Sequence, residues 1–96
     1  MAITVFLFAK AKKGKDDALK SLITQCLPET RKYRGCISID IYENDKQGGL
    51  VFYEKWETKA DYHAYLNWRT EQGVMDEIGA LLISPPDIQY YNHIDI

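Results

Sequence analysis

Residues 50–57 read "LVFYEKWE". Side chains alternate along a strand, so Leu50, Phe52 and Trp56 share one side with Glu54, while Val51 and Tyr53 share the other with Lys55. Both sides therefore carry large apolar groups. A strand of this kind needs cover on two faces, and that requirement governs the reading of everything around it.

Just upstream, residues 36–43, "CISIDIYE", alternate with Ile37, Ile39 and Ile41 on one face and Ser38, Asp40 and Tyr42 on the other. The linking "NDKQGG" has turn composition, so the two runs predict a β-hairpin. Farther back, residues 3–10, "ITVFLFAK", are rich in β-branched and aromatic types and predict a buried strand. Gly14 then breaks the pattern, and Asp16 or Asp17 suits the positive N-terminal end of a helix. Ala18, Leu19, Leu22, Ile23, Cys26 and Leu27 recur at helical spacing as one apolar stripe. Pro28 has no backbone donor, so the helix is expected to kink or restart there. Gly35, after "RKYR", suits a left-handed position at the helix end.

Downstream, Thr58 reads as an N-cap for the helical "KADYHAYLNW". A second helical stretch from about Glu71 sets Val74, Met75, Ile78, Leu81 and Leu82 on one face. "SPP" stops it, and residues 88–94, "IQYYNHI", predict a last strand. The order β-α-β-β-α-β, with right-handed crossovers, predicts an α+β, ferredoxin-like fold: a four-stranded antiparallel sheet with the helices on one face. The other face would carry Tyr42, one of the two sets on residues 50–57, and either Phe6 and Phe8 or Ile3, Val5 and Leu7. Burial favours covering such a face by about 25 cal/mol per Å². The expected cover is a second copy, giving a homodimer with sheets face to face.

Composition narrows the function. At 96 residues the chain suits one domain, here taken as residues 1–96. Twelve basic against 14 acidic residues give a net charge of -2, which lacks the basic field that nucleic acids require. The tyrosines fit an aromatic RNA-binding sheet no better, because neither hairpin strand carries the glycine-aromatic run of that module. No stretch is apolar for long enough to span a membrane, and the N-terminal run lacks the marks of a signal peptide. Cys26 and Cys36 have no metal-ligand spacing and read as free thiols of a cytoplasmic protein.

The run "GCISIDIYENDKQGGLVFYEKWETKADYHAYL" resembles the antibiotic biosynthesis monooxygenase family, also called the ABM or quinol monooxygenase-like domain. "KAKKGKDDAL", "TRKYRGC", "YEKWE" and "SPPDIQYY" extend the likeness, in order, over nearly the whole chain. The resemblance implies a dimeric α/β barrel with a pocket in each subunit between sheet and helices. It also implies monooxygenation of a small aromatic or quinol-like substrate by O2, without flavin, metal or other cofactor. Many members carry a histidine where this chain has Tyr65, then a Pro-His-Phe-like segment where it reads "NWRTEQ". Proton transfer by the family's own histidines, and haem ligation, are therefore not expected.

Cofactor-free oxygenation requires an apolar box, a base, and a donor for the developing anion. Tyr65 can donate and accept a hydrogen bond, His63 carries an imidazole able to take or give a proton, and Arg69 offers an anion-stabilising guanidinium. These three are the catalytic candidates. Trp68, Trp56 and Glu54 are the candidates for substrate binding, Trp56 also being a natural strand-end core residue. Glu54 reads either as a base raised in pKa by an apolar pocket or as a carboxylate paired with a cation at the dimer seam. Lys55 and His93 read as surface or structural groups. Two other functions suit the same fold: a non-catalytic small-molecule binding module, whose pocket would lack a buried base or donor, and an isomerase of a small carbonyl compound, whose pocket would hold a phosphate-sized cluster of cations.

Overall fold

The structure is a computed structural model and describes residues 2–96. Its elements follow as β1 (Ile3–Ala9), α1 (Asp16–Lys32), β2 (Cys36–Glu43), β3 (Leu50–Trp56), α2 (Lys59–Glu71), α3 (Val74–Leu81) and β4 (Asp87–Tyr91). The strands form one antiparallel sheet in the order β2-β3-β1-β4, the ferredoxin-like arrangement. Thr58 caps α2 by accepting from the Asp61 amide at 3.0 Å. Asp16 and Asp17 lie in the first turn of α1 and make no side-chain cap, so they complement the helix dipole only.

Strand pairing settles which face each residue serves. Val5 pairs with Glu54 and Leu7 with Phe52, so Val5, Leu7 and Ala9 join Leu50, Phe52, Glu54 and Trp56 beneath the helices. Leu19 and Ile23 of α1 and Tyr62 of α2 close over them. Phe6 and Phe8 occupy the opposite face with Val51, Tyr53 and Tyr91. There Phe6 stacks on Tyr53 at 5.3 Å and meets the edge of Tyr91 at 5.2 Å. Phe8, Tyr42 and Tyr91 remain exposed on this face. Lys55 is exposed and reaches over the Tyr53 ring.

Three local expectations are corrected. Ile37 does not face the helices with Ile39 and Ile41. Cys36 pairs with Trp56 and Ser38 with Lys55, so Ile37 is the extra residue of a β-bulge and is 52% exposed. Pro28 does not restart its helix, because α1 runs through it to Lys32. Buried Leu19 and Ile23 before the proline and buried Thr30 after it hold both halves against the core, and packing outweighs the missing donor. The last strand ends at Tyr91, leaving His93 beyond it and exposed.

Gly35 links α1 to β2 at φ +90°, and a Cβ there would lie 2.5 Å from the Asp61 side chain. Its carbonyl accepts from the Glu57 amide at 2.8 Å, so the entry to β2 is pressed against the start of α2. Only glycine meets both demands.

Candidate functional site

Between the sheet and the three helices lies a cavity of about 50 Å³, lined on the sheet side by Leu7, Ile39, Phe52 and Glu54. That exceeds the ~10–15 Å³ a water needs and falls well short of the ~150 Å³ of an engineered cavity that admits benzene. The helix side is apolar apart from four residues, Thr30, Tyr62, Tyr65 and Arg69.

Glu54 reaches this cavity because β3 alternates and places it between Phe52 and Trp56 on the covered face. It is 2% exposed. Its Oε1 accepts from Trp56 Nε1 at 3.1 Å. Burial pushes its pKa up to about 7, and the indole donor opposes that rise only in part. A carboxyl in this state exchanges its proton near neutral pH, as a general base requires. Among the described residues no cation pairs with it, so of the two roles expected for Glu54 the geometry matches the apolar-pocket carboxyl.

Tyr62, one turn into α2, is 1% exposed, and its hydroxyl has no hydrogen-bond partner among the described residues. Burial and then the nearby Glu54 raise its pKa, so it stays a neutral donor. An unpaired buried hydroxyl is unfavourable by about 1–3 kcal/mol, which marks it as a group awaiting a partner. Its ring packs 5.4 Å from Trp56, the donor to Glu54.

Arg69 is 2% exposed and belongs to a closed network. Nε donates to Tyr65 Oη at 3.0 Å, Nη1 to Gln72 Oε1 at 3.2 Å, and Nη2 to the Cys26 carbonyl at 2.8 Å and Thr30 Oγ1 at 3.0 Å. Thr30 Oγ1 donates to the Cys26 carbonyl at 3.1 Å and lies 2.7 Å from Tyr65 Oη, a contact in which either hydroxyl can be the donor. Glu29 adds a distant 3.8 Å ion pair from the surface. The guanidinium thereby ties α2 to the middle of α1, and its Cζ lies over the Trp68 ring, 4.5 Å from the ring centre. Burial raises the Tyr65 pKa against the bonds from Thr30 and Arg69.

Of the sequence candidates, Glu54, Tyr65 and Arg69 meet at the cavity. Trp56 lies behind Glu54, fully buried, as its hydrogen-bond donor. Trp68 is half-buried outside the cavity wall, packed 5.1 Å from Tyr33. His63 lies on an exposed side of α2, where its Nε2 is 3.1 Å from Tyr90 Oη. Thr30 and Tyr62 were not singled out from sequence. Tyr62, Leu66 and Arg69 fall at i, i+4 and i+7, so helical spacing from Arg69 is the signal that points to Tyr62. Among the described residues, no group of three or more His, Cys, Asp or Glu is placed to hold a metal ion. No helix among them is long and apolar enough to cross a membrane.

The sequence pattern of the antibiotic biosynthesis monooxygenase family, ABM, matches residues 2–72. The chain belongs to the ABM family. It is 36% identical over 62 residues to Rv0793 of Mycobacterium tuberculosis, a protein described as a candidate monooxygenase. That match takes in 58% of this chain and 61% of the relative's length. The solved structure of Rv0793 superimposes with a TM-score of 0.88 at 22% identity, covering 100% of this chain and 98% of that one. A conserved protein of Methanosarcina mazei Go1 gives 0.87 at 20% identity, covering 96% and 92%. An antibiotic biosynthesis monooxygenase gives 0.87 at 18% identity, covering 97% and 99%. These structures share the fold, and the residues at the cavity are this chain's own.

Proposed function

We propose that the chain is an ABM-type monooxygenase that uses O2 to oxidise a small aromatic, quinol-like molecule and needs no bound cofactor. One observation carries this reading: Glu54, buried with a pKa near 7, lines the same apolar cavity as Tyr62, whose buried hydroxyl has no partner among the described residues. Base and donor, the two groups that cofactor-free oxygenation needs, thus open onto one water-poor space.

Glu54 takes the proton of a substrate hydroxyl, and Tyr62 donates to the oxygen that gains charge. The resulting phenolate is electron-rich enough to pass one electron to O2, which overcomes the spin barrier to direct combination. Radical recombination forms a carbon–oxygen bond, and loss of water leaves a hydroxyquinone. One quinol and one O2 thus give one hydroxyquinone and one water. Arg69 and Tyr65 keep α1 and α2 at the spacing this requires. A ring is larger than the closed cavity, and α3 is the wall that yields. It contributes Val74, Met75 and Ile78 to the cavity but has no buried residue of its own. It starts from Gly73 at φ +80° and is followed by Pro85 and Pro86.

Two features support this reading over the alternatives. A passive binding module has no need of a buried base, and Glu54 is one. The isomerase of a small carbonyl compound would be marked by a phosphate-sized cluster of cations, whereas the single cation lining the cavity among the described residues is Arg69, already engaged in four hydrogen bonds. We also read residues 1–96 as one cytoplasmic domain that pairs as a homodimer through the Phe6, Tyr53 and Tyr91 face, closing the dimeric barrel. The test is oxygen uptake with a panel of dihydroxyaromatic quinols and anthrones, chelator present and spontaneous oxidation subtracted. Uptake above background that survives chelation is expected; thermal stabilisation by the panel without any uptake would replace the oxygenase with a binding module.

A further inference from the structure

Cys26 has no part in the chemistry above, yet it lines the same cavity. It is half-buried on α1, between the enclosed space and solvent. Its own carbonyl is pinned by Arg69 and Thr30, which fixes the thiol's place at the cavity wall. The other thiol, Cys36, is equally half-buried but packs into the core beside Trp56 and does not line the cavity. A cysteine alone identifies nothing. Here the buried, unpartnered hydroxyl of Tyr62 shares the cavity wall and independently marks the space as one that receives a ligand with a polar group.

The inference rests on the oxygenase reading, because the product of that reaction is a quinone, and quinones are electrophiles toward thiols. We propose that Cys26 is a covalent capture site for quinones formed in or entering the cavity, so that the product arylates its own enzyme at the cavity wall. In the step, Sγ bonds to a ring carbon next to a quinone carbonyl and the S–H bond breaks. The thiol proton goes to a quinone oxygen, and the proton on the attacked carbon moves to the other oxygen. The ring returns to the aromatic state as a quinol thioether. The quinone is the oxidant that is reduced, and no further reagent takes part.

Local charge separates the two thiols. Burial raises both, but the next influence on Cys26 is the Arg69 cation, which favours thiolate, while on Cys36 it is Glu54, which disfavours it. The aryl group on Cys26 would fill the space that substrate needs, making the modification a brake on turnover.

The test uses the intact protein and 1,4-benzoquinone, with peptide mass mapping over time. Cys26 is expected to gain one quinone on the order of tenfold faster than Cys36, as thiolate character and access dictate. Excess 4-nitrophenol, a single-ring phenol that does not oxidise, is expected to slow labelling at Cys26 and leave Cys36 unchanged. In Cys26→Ser the fast adduct should vanish. Equal labelling of the two thiols, or labelling of Cys26 that 4-nitrophenol leaves untouched, overturns the proposal. Because benzoquinone is added directly, protected labelling at Cys26 stands even if no quinol is turned over, and loss of that labelling leaves the oxygenase reading intact.

Discussion

The indole Nε1 of Trp56 donates to Oε1 of Glu54 across 3.1 Å, from two residues farther along the same face of β3. Strand alternation alone brings them together, and among the described residues no other side-chain hydrogen bond to the carboxyl accompanies this one. Because the bond stabilises the charged form, removing it raises the Glu54 pKa above about 7. The variant Trp56→Phe is therefore predicted to move the acid limb of the rate profile to higher pH. An unmoved limb would mean that Glu54 is not the titrating group.

Glu54 also makes stability depend on pH. Its pKa is raised from 4.5 in the open chain to about 7 in the fold, so between these values the folded state holds a proton that the unfolded state has released. Its contribution is fully present below about pH 4.5 and is lost as pH rises to about 7, a swing of roughly 3 kcal/mol. Other carboxylates titrate in the same range, so the difference between wild type and Glu54→Gln isolates it. The stability advantage of the Glu54→Gln variant over wild type, read by urea unfolding, is expected to grow from about pH 5 to about pH 7 and level off above that.

Tyr62 offers a second, opposite pair of effects. Its hydroxyl has no partner to lose, so Tyr62→Phe is predicted to leave stability unchanged or to raise it by about 1 kcal/mol. Quinol oxidation should nevertheless fall about tenfold or more with the loss of a donor to the developing anion. A melting temperature several degrees below wild type would instead show that the hydroxyl is bonded within the folded protein.

Arg69 carries structural weight. Arg69→Ala removes four hydrogen bonds, two of which join α2 to α1, and leaves a void at the cavity wall. A loss of about 3 kcal/mol is predicted, lowering the melting temperature by on the order of 10–20 °C for a domain of this length. Activity lost in this variant should follow the fraction folded. Full stability with no activity would move Arg69 from the scaffold to the chemistry.

The open face of the sheet is the basis of the dimer prediction. Phe6 sits at its centre, between the Tyr53 and Tyr91 rings. Phe6→Asp places a charge in the proposed seam and is expected to yield a monomer by sedimentation velocity, whereas wild type is expected to sediment as a dimer. A wild-type monomer would leave this apolar face to some other partner.

Much of this was legible in the sequence because strands announce themselves by a period of two and helices by their caps and stripes. The two-sided character of residues 50–57 showed that both faces need cover and set Glu54 on the same side as Trp56, while which side the helices cover emerged only from the strand pairing. Ile37 misled because a bulge changes the phase of alternation without changing the composition, and nothing in "CISIDIYE" marks where the extra residue falls. Thr30 was hidden by its type: a polar side chain inside a helix reads as surface until buried partners are known. Tyr62 looked like one tyrosine among several. Its meaning lies in a missing partner, which spacing can suggest and only the packed structure reveals.

The most direct test is the pH dependence of kcat/KM for oxygen-dependent oxidation of a single-ring quinol by wild type and Glu54→Gln. Wild-type activity is predicted to rise with pH through a midpoint near 7, the state in which Glu54 has lost its proton, and Glu54→Gln to lose about 10²–10⁴-fold without unfolding. A folded Glu54→Gln that oxidises quinol at the wild-type rate with the same profile would contradict the account at its centre.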